Sequence, residues 1–143
     1  MVFPDSTGAT EGLLRIPLDH VSSLDDTGRV GASVVSQLIL STVEDDLIPQ
    51  LFSQRPGIIR RVEEIEFLAP VYQGELLSLA WSVLGREEHG KNLVVELSFE
   101  ATKLEYFHLT NKQIVSSPVP IPACNGRLTL LSHHISDIEE SVL

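Results

Sequence analysis

The stretch GASVVSQLILSTVEDDLI, residues 31–48, decides how this chain folds. Val35, Ile39, Val43 and Leu47 recur every fourth residue, and Val34, Leu38 and Ile48 widen the apolar stripe. That spacing predicts an α-helix with a broad buried face. Pro49 is expected to end or kink it soon afterwards, because proline lacks an N–H and its ring crowds the preceding turn. The β-branched content is high for a helix, so burial has to supply the stability that propensity does not. A helix this apolar needs other elements to cover it.

The flanking sequence reads as strands. Residues 12–17 (GLLRIP) form a short one after a loose lead-in over 1–11, and 20–31 (HVSSLDDTGRVG) is loop-rich. Residues 57–68 read as a strand, although Glu63, Glu64 and Glu66 spoil its alternation. In 75–87, Leu77, Leu79, Trp81 and Val83 share one face. A turn at His89-Gly90-Lys91-Asn92 leads into the most regular strand, 93–104. There Leu93, Val95, Leu97, Phe99 and Ala101 face one way, and Val94, Glu96, Ser98, Glu100 and Thr102 the other. Thr110-Asn111-Lys112 turns again. A last strand spans about 119–131, its start pushed to an edge or a bulge by Pro118, Pro120 and Pro122. The acidic tail over 132–143 reads as a helix end or a frayed terminus. One strand, one helix and four strands make a single α+β domain over 1–143, with an antiparallel sheet around the helix.

Composition narrows the functions. A net charge of −10 argues against nucleic acid as a partner, because phosphate binding needs a basic footprint. The longest apolar stretch, 34–43, is too short and too polar to span a bilayer, so no membrane role is expected. The N-terminus lacks the basic and apolar segments of a signal peptide, and a cytoplasmic location is the default expectation. The single cysteine, Cys124, excludes an internal disulfide and a Cys-based zinc site.

The stretch VEEIEFLAPVYQGELLSLAW, 62–81, carries a resemblance. Phe67, Leu68, Pro70, Val71, Gly74 and Glu75 match the Phe-Leu-x-Pro-Val-x-x-Gly-Asp/Glu bend of the hotdog-fold acyl-CoA enzymes. Proline sets the backbone angle and glycine permits the turn, which is expected to keep two long strands in register around the helix. GASVVSQLIL looks like the central helix of that fold, and the resemblance covers roughly 12–131. Two groups are most similar: bacterial acyl-CoA thioesterases, and ammonia lyases acting on β-aminoacyl-CoA, which share FLAPVY at 67–72 and are echoed by SFEATK at 98–103. The resemblance implies a hotdog fold and a homodimer or dimer of dimers with acyl-CoA sites at the subunit interface. Coenzyme A is then part of the substrate, with no separate cofactor. Three activities follow from it: hydrolysis of an acyl-CoA, a lyase or hydratase reaction at the β-carbon, or binding of an acyl thioester without catalysis.

Site residues follow from the same resemblance. Backbone N–H groups at the helix start polarise the thioester carbonyl in such enzymes, which points to Gly28, Gly31 and Ala32. Helix-carboxylate thioesterases place an Asp or Glu where this chain has Ile39, which can act neither as base nor as nucleophile. Gln37 can orient water but not deprotonate it. Asp26, next to Asp25, stands before the helix, either as a base facing the thioester or as a solvated or capping residue. Glu44 falls where the lyase-like relatives carry a carboxylate; alternatively it belongs to a solvated face beside Asp45 and Asp46. Arg60 and Arg61, joined by Arg86, Lys91 and Arg127 across a dimer, are candidates for the coenzyme A phosphates, or solvated strand ends. His20 is a candidate acid–base group. His89, His108, His133 and His134 read as turn, strand-end and tail residues, with no metal expected. Trp81 and Phe99 fit the core, and Cys124 a small buried position.

Overall fold

The helix forms as its spacing predicts and runs three residues further. In this computed structural model it comprises α1 (Ala32–Thr42), one π-helical turn (Val43–Leu47) and α2 (Ile48–Leu51). Described are residues 10–19, 21, 24, 26–53, 55–105, 108–110, 113–115 and 119–133. His20, Asp25, the 111–112 turn tip, Pro118 and the tail from His134 onwards lie outside them, as do the side chains of His108 and His133.

The π turn has a cause in the sequence. Val35, Ile39, Val43, Leu47 and Leu51 are all buried at a spacing of four. At 3.6 residues per turn, such a row drifts about 40° around an α-helix with each repeat. One wider turn takes the drift back and keeps the row on the sheet. It also precedes Pro49, whose missing N–H and bulky ring disturb the α pattern there. The Ile48 N–H accordingly bonds the Val43 carbonyl, five residues back.

Five strands cover this rod: β1 (Glu11–Pro17), β3 (Gly57–Phe67), β5 (Leu76–His89), β6 (Asn92–Glu105) and β9 (Val119–His133). They form one antiparallel sheet in the order β1-β5-β6-β9-β3. Two small ribbons complete the fold: β2 (Arg29–Val30) with β4 (Val71–Tyr72), and β7 (His108–Thr110) with β8 (Gln113–Val115). The predicted faces hold: Leu77, Leu79 and Trp81 on β5 and Leu93, Val95, Leu97, Phe99 and Ala101 on β6 are buried in the core, with Val83 half-buried.

Two features differ from the sequence reading or sharpen it. The strands on either side of the Pro70 bend do not pair with each other; β6 and β9 lie between them. The bend therefore carries the chain from one edge of the sheet across the helix start to β5. The broken alternation at Glu63–Glu66 is a real irregularity, with a register shift between Glu63 and Glu66, another upstream between Ile59 and Arg61, and Glu64 at φ 52°. The proline-rich start of β9 behaves as expected: its register with β6 shifts beside Pro122, and its ladder with β3 begins only at Cys124.

Candidate functional site

The bend and the helix start meet. Leu24, Arg29, Val30, Gly31, Ala32 and Val35 form one wall of a cleft of about 570 Å³, and Phe67 to Val71 form the other. Pairing of Arg29 with Tyr72 and Val30 with Val71 joins the two walls. The Gln73 N–H adds a 2.8 Å bond to the Gly28 carbonyl. A turn closed by the Glu75 N–H on the Tyr72 carbonyl follows, with Gly74 at φ 83° in the position where a type II turn requires a positive angle.

The helix start is bare. Gly31 is the N-cap, offers no side chain, and no acidic residue occupies the first turn. Its carbonyl accepts from the Val34 and Val35 N–H groups. The Ala32 and Ser33 N–H groups thus have no intrahelical acceptor, and among the described residues no side chain caps the positive end of the helix dipole. Directed at a cleft, such amides can hold a carbonyl oxygen that gains negative charge.

Of the residues expected at the site, Gly31 and Ala32 line this cleft, and Gly28 supports its floor through the bond from Gln73. Asp26 is exposed in the turn before β2 and is not part of the lining. Gln37 and Glu44 are exposed further along the helix. At about 1.5 Å per residue, Glu44 stands roughly 18 Å from Ala32, so one chain does not bring it to the helix start. Ile39 is fully buried in the core. Arg61 is exposed and paired with Glu63 at 3.2 Å, and Arg127 pairs with Glu64 at 2.9 Å. Arg60 lines a different cleft, with His89, Asn92, Val94 and Leu131. The cation that does border the helix start is Arg29. Its signal was its place two residues before Gly31, which the adjacent pair at 60–61 overshadowed.

A larger depression of about 770 Å³ lies on the outer face of the sheet, around Leu13, Ala80, Ser82, Ser98 and Glu100. It has no helix end, and the Ser82 and Ser98 hydroxyls that line it are bonded to each other at 3.1 Å, so the smaller cleft is the better site.

Cys124 is buried, and desolvation pushes its thiol up to about 11 from 9.0, which rules it out as a thiolate nucleophile near neutral pH. Stability follows with a definite sign. Between about pH 9 and 11 the unfolded thiol loses its proton while the folded one keeps it. Folding stability therefore falls as pH rises through that window. Cys124→Ala is expected to flatten this loss in denaturant titrations. In the native wild type, a disulfide reagent at pH 8 is expected to leave the thiol unmodified until denaturant is added.

Comparison with known proteins gives the same architecture a context. No family model matches the chain, and no curated protein sequence matches it. Among solved structures, an acyl-CoA hydrolase from Agrobacterium tumefaciens superposes with a TM-score of 0.59 at 10% identity, over 85% of this chain and 42% of its own. β-Alanyl-CoA:ammonia lyase from Clostridium propionicum gives 0.58 at 14% identity, over 87% of this chain and 88% of its own. A hexameric thioesterase from Yersinia pestis gives 0.55 at 17% identity, over 83% and 85%. This chain thus spans less than half the length of the Agrobacterium hydrolase. The likeness establishes the hotdog fold, in which a long antiparallel sheet wraps one central helix.

Proposed function

We propose that this chain acts on an acyl thioester held in the cleft between the helix start and the Pro70 bend, and that its reaction is hydrolysis of an acyl-CoA. The observation that carries this reading is the uncapped N-terminus of the central helix, with Gly31 and Ala32 facing the apolar Phe67–Val71 wall. Its amides suit a thioester carbonyl, the apolar wall suits an acyl chain, and Arg29 suits a coenzyme A phosphate. Hydrolases and a lyase acting on acyl-CoA share the fold.

A second reading rests on a specific observation. No carboxylate lines the cleft among the described residues, and Ile39 is buried where helix-carboxylate thioesterases carry one. A lyase or hydratase, which needs only a proton shuttle at the α and β carbons, tolerates that better. A binding protein without turnover needs no carboxylate at all.

The active unit we propose is a homodimer, alone or paired into a tetramer, joined through the free edge of β3. Ile58, Val62, Phe67 and Leu68 are exposed along it. In an antiparallel pair, Arg60 and Arg61 of each copy approach Glu63, Glu64 and Glu66 of the other. Phe67 and Leu68 also border the cleft, so the second copy closes one of its sides. We place the protein in the cytoplasm, where a free cysteine stays reduced.

Thiol release from a panel of acyl-CoAs, read with a disulfide reagent, supports hydrolysis. A change in enoyl absorbance without thiol release supports the lyase or hydratase. Tight binding with neither signal leaves the binding protein. Neither carboxylate lines the cleft of one chain, so Asp26→Ala and Glu44→Ala are expected to lower turnover by about a hundredfold, with an unchanged circular dichroism spectrum, only where the second copy brings that residue to the cleft. Full activity in both variants removes these two residues from the mechanism.

A further inference from the structure

Lys103 occupies a position that the alternation of β6 assigns to the core. It continues the series Leu97, Phe99, Ala101 and is 2% exposed. A buried ammonium persists only when it is paired and hydrogen-bonded. Three groups of the bend surround the Lys103 ammonium. Its Nζ donates to the Pro70 carbonyl at 2.6 Å and lies 3.3 Å from the Glu75 carboxylate and 5.2 Å from the centre of the Tyr72 ring. Glu75 in turn accepts the Tyr72 N–H at 2.7 Å. The side chain does not line the cleft; it stands behind the wall that does.

We infer that Lys103 is a positioning residue of the cleft, a side-chain tie from both of its walls to the central sheet. The bend wall is held directly at Pro70, in addition to the main-chain bonds from the Leu68 N–H to the Ala123 carbonyl and from the Gly74 N–H to the Leu18 carbonyl, both 2.8 Å. The helix-start wall is held through β4, which pairs with Arg29 and Val30 of β2. A ribbon of two residues on each side cannot hold its own geometry in water, so its placement depends on what anchors it. An apolar side chain at 103 would fill the space but leave the Pro70 carbonyl without its donor, and the bend could then shift relative to Gly31 and Ala32. The ligand side of this inference rests on the acyl-thioester reading; the anchoring of the bend does not.

The test compares Lys103→Met with wild type by amide hydrogen exchange and by binding of an S-oxopentyl thioether of coenzyme A. This probe is a ketone analogue of butyryl-CoA that cannot be hydrolysed. The Tyr72 and Gln73 amides are expected to exchange about tenfold faster or more, the worth of one charged hydrogen bond, while Val95 and Leu97 keep their rates. Affinity for the probe falls by a similar factor. Lys103→Met/Glu75→Gln, which also removes the stranded carboxylate, is expected to recover melting temperature relative to Lys103→Met without recovering probe affinity or bend protection. The inference is overturned by bend exchange and affinity within about twofold of wild type, by equal acceleration along β6, or by a loosened bend with undiminished affinity. Should the wild type bind neither the probe nor any acyl-CoA, the thioester reading fails. The exchange rates then decide the anchoring alone: selective loosening upholds it, and unchanged rates overturn it.

Discussion

Ile39→Asp unfolds the domain instead of creating a hydrolase. The resemblance to helix-carboxylate thioesterases invites the opposite expectation, since it restores a carboxylate at the matching position. The structure gives the reason against it. Ile39 is fully buried within the row that seats the helix on the sheet, between Val35 and Val43. An ionised carboxylate there costs several kcal/mol with no partner to offset it, and the lost isoleucine burial adds about 2 kcal/mol. Together these approach the whole stability of a small domain, about 5–15 kcal/mol. Circular dichroism melting is expected to show a variant unfolded near neutral pH and partly rescued in acid, where the side chain is neutral. Ile39→Val is expected to cost only about 1 kcal/mol. A variant that melts like wild type and gains thiol release would show that position 39 faces the cleft after all.

The second large effect is expected at Gly126. A row of paired residues crosses the sheet on its helix side: Gly12, Trp81, Phe99, Gly126. Two large rings share it with two residues that have no side chain. A Cβ at Gly126 would stand 2.8 Å from the Phe99 ring and 2.9 Å from Ile65, and one at Gly12 2.6 Å from the Trp81 indole. The rings overlie the glycines, and the core has no room to return them. Overpacking one well-filled site costs about 1–3 kcal/mol, so Gly126→Val is expected to destabilise by about 3 kcal/mol and Gly12→Ala by somewhat less. Trp81 is the only tryptophan, so its emission reports the displaced ring directly. Its indole N–H finds no acceptor among the described residues, which leaves packing to set its orientation. Gly85→Ala is the control: nothing lies within 4 Å of a Cβ there, and a change within about 0.5 kcal/mol is expected.

What the sequence disclosed, and what it withheld, follows the range of the interactions. The helix was legible because Val35, Ile39, Val43 and Leu47 repeat on one face. The strands around Leu79 and Val95 were legible because side chains alternate with period two. These are local patterns, and burial enforces them. The bend was legible because Pro70 and Gly74 are themselves the cause of the turn. The π turn was not, since it arises from a mismatch that only accumulates over the full row. Lys103 was not, because in sequence it looks like the polar end of a strand; its partners lie 28 to 33 residues away. Arg29 was not, because its place beside the bend depends on the β2–β4 pairing. Asp26 stands out in sequence as a carboxylate just before the helix, and Glu44 through the lyase-like resemblance. Within one chain the fold leaves both outside the cleft lining, so a role for either depends on a second copy.

The central claim is that an acyl thioester sits between the helix start and the Pro70 bend. Amide chemical shifts of labelled protein, titrated with the oxopentyl thioether of coenzyme A, test it most directly. The largest saturable shifts are expected at Gly31, Ala32, Leu68 and Val71, with Ser82, Ser98 and Glu100 on the outer face unmoved. Saturable shifts confined to the outer face, or no shift at Gly31 and Ala32 at saturation, would contradict it.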